Sequence, residues 1–172
     1  IMNSGVKPSI DAWNIVIKAM TNPSRIASFG GKAKQQELVQ NFERTLQTIV
    51  SSGVQFNGET VGAIVSGYAN FGQFDKAQEY IDKYAKGVKD NGAVISLCND
   101  GILRGLVYNG KIEEAESKLK QFMETHTQYK PHTHVMNDFL NYYAKKKNYK
   151  AINGITNFMR KHNIAENVSI KT

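Results

Sequence analysis

Cysteine and proline are scarce in this chain: one cysteine and three prolines in 172 residues. Cys98 has no second thiol with which to close an internal disulfide, and none to join it in a zinc site. A lone thiol fits a reducing compartment. The low proline content, with 41% hydrophobic and 22% charged residues, excludes a collagenous or wholly disordered chain. No run approaches the roughly 18 consecutive apolar residues of a membrane-spanning helix. The opening Ile1-Met2-Asn3-Ser4 shows neither a signal-peptide core nor an Arg- and Ser-rich presequence, and reads as a cut within something longer.

Acidic residues are scarce at one end only. Residues 1–129 hold fourteen basic and thirteen acidic side chains, whereas residues 130–172 hold eight basic and two acidic, a net of +6 within a total of +7. A basic end of this kind points toward a polyanion.

What the sequence does contain is a degenerate repeat. Gly72-Gln73-Phe74-Asp75-Lys76-Ala77 recurs 38 residues later as Gly110-Lys111-Ile112-Glu113-Glu114-Ala115. Gly5-Val6-Lys7-Pro8 is echoed by Gly53-Val54-Gln55-Phe56, and Lys130-Pro131 closes another segment in the same style. Glycine after a helix supplies a left-handed cap, and a nearby proline delays the next helix. Between these marks the apolar spacing mixes three and four, the pattern of a helix with one buried face. Such stripes run through Ile10, Trp13, Ile17 and Met20; Val61, Ile64, Val65 and Tyr68; Ile102, Leu103 and Leu106; and Met136, Phe139, Leu140 and Tyr143. Second helices are expected at about 35–52, 74–88, 112–127 and 148–162. Strand alternation is absent, so the chain is expected to be all-α, a solenoid of about four stacked antiparallel helix pairs. Asn22-Pro23-Ser24 and Gly30-Gly31-Lys32 mark an inserted loop at about 22–34 in the first pair.

The tetratricopeptide pattern is missing. The chain instead resembles the pentatricopeptide repeat family over essentially its whole length. Ser9-Ile10-Asp11-Ala12-Trp13-Asn14 after Gly5-Val6-Lys7-Pro8 carries the likeness best; Tyr129-Lys130-Pro131-His132 through Asn137 carries it less closely. Gly67-Tyr68-Ala69-Asn70-Phe71-Gly72 and Gly105-Leu106-Val107-Tyr108-Asn109-Gly110 look like that family's helix-to-turn segment. The resemblance implies a right-handed α-solenoid superhelix with repeats at 10–57, 58–95, 96–132 and 133–167. Residues 1–9 would then finish an upstream repeat and 168–172 begin a downstream one.

The resemblance also implies single-stranded RNA as partner, about one base per repeat, read by the fifth and last residues of each repeat. Positions two, five, nine and thirteen lie about a helical turn apart and form one strip. Asn14 with Asn57, and Asn137 with Asn167, match the family's pyrimidine-reading pair; a side-chain amide can donate to and accept from a base edge. Asp100 with His132 stands in the corresponding place of repeat three without a pairing that can be decoded, and Gly62 leaves repeat two with no reader. Leu97 suits the position that packs on a base, whereas Asp11 and Glu59 would present negative charge there. Lys18, Arg104, Lys145 and Lys146 are the expected RNA-backbone contacts, within the cluster Lys145-Lys146-Lys147 and Lys150.

No catalysis, cofactor or metal is expected. His126, His132 and His134 lack ligand spacing, and Gly30-Gly31-Lys32-Ala33 lacks the hydroxyl of a phosphate-cradling loop. Trp13, Phe71, Phe74, Tyr80, Tyr84 and Phe122 are assigned to interhelix packing. By resemblance the setting is the mitochondrial matrix, as in fungal-type members. The role there would be stabilisation, processing or translational activation of a messenger or ribosomal RNA. The competing reading is a protein scaffold, such as a mitochondrial ribosome subunit or small-subunit assembly factor with ribosomal proteins as partners. The unfavourable Asp11 and Glu59, and the unreadable second and third repeats, favour it.

Overall fold

A computed structural model describes residues 5–84, 87 and 91–165. These residues are all-helical, with nine helices and no strand among them. The chain divides into two compact units, Ile1–Ile102 and Leu103–Thr172.

In the first unit, α1 (Ile10–Met20) starts where the Ser9 hydroxyl accepts the Ala12 amide at 3.2 Å. The stretch expected as a loop at 22–34 is partly helical instead. Asn22 accepts the Ser24 amide at 2.9 Å and Pro23 occupies the first helical position, so a six-residue α2 (Pro23–Ser28) forms. Proline there has its φ preset and forfeits an amide that would be unpaired anyway. After Gly30 and Gly31, both at positive φ, α3 (Lys32–Ser51) buries Leu38, Phe42, Leu46 and Ile49 along one stripe. α4 (Gly58–Asn70) opens on a capping box: the Asn57 side chain accepts the Thr60 amide at 2.9 Å, and the Thr60 hydroxyl accepts the Asn57 amide at 3.2 Å. α4 packs on α1 and on α5 (Phe74–Tyr84), and α1 packs on α3. The segment expected to extend α5 to residue 88 lies largely outside the described residues.

α6 (Asn91–Tyr108) crosses the division between the units. It begins at Asn91, ahead of the expected repeat boundary at 96, because Val94 buries itself at 3% exposure and anchors an added turn. Its Leu97 and Gly101 approach α4 closely. A Cβ on Gly62 would meet the Leu97 Cβ at 3.0 Å, and one on Gly101 would meet the Ser66 Cα at 3.1 Å. Glycine is therefore what lets these two helices touch.

The second unit continues with α7 (Ile112–Thr125), α8 (Thr133–Lys145) and α9 (Tyr149–Lys161), of which α8 and α9 pack together. Val135, Met136, Phe139 and Leu140 of α8 are buried, as are Ile155 and Met159 of α9.

Equivalent positions in the two units show the repeat at atomic level. Tyr68 on α4 lies beside Glu43 of α3, and Tyr143 at the matching place on α8 donates to Glu116 of α7. Burial first, then Tyr80 and Glu43 beside Tyr68 and Glu116 beside Tyr143, push both phenols well above the usual tyrosine range.

The three helix-to-turn segments also match. The amides of Gln73, Lys111 and Asn148 donate to the carbonyls of Tyr68, Leu106 and Tyr143 at 2.8, 2.9 and 2.9 Å. That is the six-to-one bond of a Schellman end, which needs a left-handed residue just before the donor. Gly72 and Gly110 fill that place at φ 75°, but Lys147 fills it at φ 54°. An L-residue in this region is disfavoured by about 1–2 kcal/mol.

Candidate nucleic-acid interface

The first unit places Asn14, Lys18, Asn57 and Glu59 together, but ties them to one another. Asn14 is 1% exposed and its Nδ2 donates to Asn57 Oδ1 at 3.3 Å. That oxygen already accepts the amide and hydroxyl of Thr60, at 2.9 and 2.8 Å. The predicted pyrimidine-reading pair is here the α4 helix cap joined to α1, with the Asn14 Oδ1 buried and lacking a hydrogen-bond partner among the described residues. Lys18 Nζ lies 2.5 Å from Glu59 Oε1. The glutamate expected to repel a base or phosphate is therefore held by the lysine expected to attract one.

Asp100, the reader assigned to repeat three, is 4% exposed inside the first unit, while its assigned partner His132 is exposed in the second. Leu97 is 41% exposed. Its packing against Gly62 gives the missing reader of repeat two a structural reason.

The second unit is arranged differently. Arg104 Nε donates to Asp138 Oδ2 at 2.6 Å, so this predicted backbone contact is paired. His132 precedes α8, and its ring stacks on that of His134 with centroids 5.5 Å apart. Asn137 is half-buried, and its Oδ1 has no hydrogen-bond partner among the described residues. A buried carbonyl oxygen left unpaired is costly, and a donor from a ligand would relieve that cost. Asn167, its assigned partner, lies outside the described residues. Lys145 and Lys146 are exposed, with Lys146 Nζ 5.9 Å from the Tyr142 ring centroid. Neither lysine has a carboxylate partner among the described residues.

Of the aromatic residues expected to pack between helices, Phe71 lies against Phe42 of α3 at 5.7 Å and Tyr80 of α5 against Tyr68 of α4 at 5.6 Å; Tyr80 also stacks on Tyr84 of its own helix at 5.0 Å. Burial, aided by the neighbouring Tyr84 and Glu43, pushes the Tyr80 hydroxyl up to about 12. Burial alone does the same to the Cys98 thiol, which sits in the core.

Sequence reading missed two clefts along α3. One of about 450 Å³ is lined by Glu43, Leu46, Val50, Tyr68 and Tyr80; the other, of about 410 Å³, by Gln36, Gln40, Phe71 and Lys76 among others. Glu43 borders both and is paired with Lys76. Each is completed by residues distant in sequence from α3, Tyr68 and Tyr80 in one and Phe71, Gln73 and Lys76 in the other, so no local motif announces them. Among the described residues, no cluster of three His, Cys, Asp or Glu could hold a metal, and no helix is long and apolar enough to cross a membrane.

Residues 1–83 match the family model described as the MSC6 N-terminal domain. The crystal structure of the pentatricopeptide repeat protein PPR10 from maize is similar to 95% of this chain at 15% identity, with a TM-score of 0.36. The chain spans 31% of that maize protein. No curated protein matches the chain.

Proposed function

We propose that this chain binds single-stranded RNA and that the second unit makes the principal contacts. The observation that carries this reading is the set of exposed lysines at the end of α8 that meet no carboxylate among the described residues, on the helix that also holds the unsatisfied Asn137 Oδ1. A cation without an internal partner is available to a phosphate, and an unpaired amide oxygen to a base N–H. The motif resemblance to pentatricopeptide repeats supports the same partner. It also supports a right-handed solenoid and a passive role in mitochondrial gene expression, namely protecting a messenger or ribosomal RNA or keeping a start region unfolded.

Base reading in this proposal rests on Asn137, with Asn167 completing the pair. Asn14 and Asn57 act chiefly in holding α1 to α4. The test is titration of the full chain with single-stranded oligonucleotides of differing base composition. Asn137→Ala is expected to weaken binding and flatten a preference for pyrimidines, whereas equal affinity for every composition before and after the change would remove the base-reading role.

A scaffold role is favoured by a specific observation in the first unit. Its strip is tied to itself through Asn14–Asn57 and Lys18–Glu59. If Lys18, Arg104 and Lys145 are all changed to Glu, retained RNA affinity with loss of a protein partner would support the scaffold.

A further inference from the structure

Between Asp138 and Glu166 the sequence contains no acidic residue, yet it places Lys145, Lys146, Lys147 and Lys150 around one tight turn. All four are exposed, and none has an ion-pair partner among the described residues. Tyr149 opens α9 within this turn and is 70% exposed. Tyr68 and Tyr143, by contrast, are 4% and 8% exposed. Asn148 caps the helix by accepting the Ala151 amide at 3.1 Å, so the positive end of α9 falls within the same turn.

Lys147 holds a left-handed backbone at φ 54°, as Asn163 does in the matching turn after α9, where the Ile164 amide donates to the Met159 carbonyl at 2.9 Å. What sets the α8–α9 turn apart is the exposed ring among exposed cations.

We infer that the α8–α9 turn is a stacking-and-phosphate site for a single-stranded polynucleotide, with a base on the Tyr149 ring and phosphates held by Lys146, Lys147 and Lys150. An exposed aromatic ring among lysines is the chemistry that binds single strands without regard to sequence. The inference rests on the single-stranded RNA reading and adds to it a site outside the base-reading strip. A duplex keeps its bases stacked on one another and can use the lysines only.

The experiment titrates the full chain with single-stranded oligouridine over a range of salt. Three turn variants, Lys147→Gly, Tyr149→Ala and Tyr149→Phe, are compared with the strip variant Asn137→Ala. Lys147→Gly is expected to raise the thermal midpoint while weakening binding about three-fold and lowering the salt slope by about 0.7. Tyr149→Ala is expected to weaken binding at least about five-fold with the slope unchanged, and Tyr149→Phe to bind as the parent does. If Asn137→Ala weakens binding while the turn variants do not, the turn site is overturned and the strip stands. The reverse pattern keeps the turn and removes the strip. A parent chain that binds no oligouridine overturns both. Binding to phosphatidylserine vesicles in place of oligouridine, lost in the same variants, would make the turn a membrane contact and also overturn the inference.

Discussion

The strip on α1 and α4 in the first unit and the end of α8 in the second carry similar residue types with opposite fates. Lys18 is closed by Glu59 and the Asn14 amide nitrogen by Asn57, whereas Lys145 and Lys146 have no acidic partner among the described residues; Asn14 and Asn137 each keep an unpaired oxygen, but Asn14 is 1% exposed and Asn137 only half-buried. Residue type at a repeat position is therefore a poor guide to availability. A lysine beside a glutamate contributes little net attraction to a phosphate, since the carboxylate remains to repel it. Charge without a counter-charge nearby is what a polyanion can use.

The largest expected effect breaks this comparison directly. Changing Lys145, Lys146, Lys147 and Lys150 together to Ala should reduce affinity for single-stranded RNA on the order of 100-fold at physiological salt. The matching change of Lys18 to Ala should alter it less than about two-fold, and fluorescence anisotropy measures both.

Next in size, Asn57→Ala removes the capping box and the acceptor for Asn14. It should cost about 1–2 kcal/mol of stability in a urea titration, with RNA affinity unchanged. Loss of affinity at full stability would instead restore Asn57 as a base reader.

Lys147→Gly should stabilise by about 1 kcal/mol, because glycine suits the left-handed position. The same kind of exchange in reverse, Gly72→Lys, should destabilise by a similar amount. Calorimetry of both would show whether the three turns are equivalent.

Smallest at neutral pH is the contribution of the two raised tyrosines. Both stay neutral in the folded chain at pH values where the unfolded phenols, at about 10, begin to ionise. Their contribution is complete below about pH 10 and falls as pH rises beyond it, because the unfolded state then loses protons that the folded state retains. Tyr68→Phe combined with Tyr143→Phe should flatten this alkaline loss in pH-dependent denaturation.

Much of the fold was legible because its signals are local. The stripe through Met136, Phe139, Leu140 and Tyr143, and the glycines at 72 and 110, encode a buried face and a left-handed helix end within a few residues. The third turn was harder, since Lys147 adopts the glycine conformation without being glycine. The early start of α6 was missed because Val94 reveals its burial only when packed. Asn22-Pro23 is a recognisable cap and first-turn pair, so the helical part of the 22–34 insertion could have been found. The site was less legible. Lys18 meets Glu59 across 41 residues and Asn14 meets Asn57 across 43, and no local pattern distinguishes a paired cation from a free one.

The central claim is that RNA lies on the second unit's free cations rather than on the first unit's paired ones. Ultraviolet crosslinking of the full chain to single-stranded RNA, followed by mass spectrometry of the attached peptides, tests it most directly. The account predicts crosslinks at Tyr149 and within the segment from Asn137 to Lys150. Crosslinks confined to α1 and α4, around Asn14, Lys18 and Asn57, would contradict it.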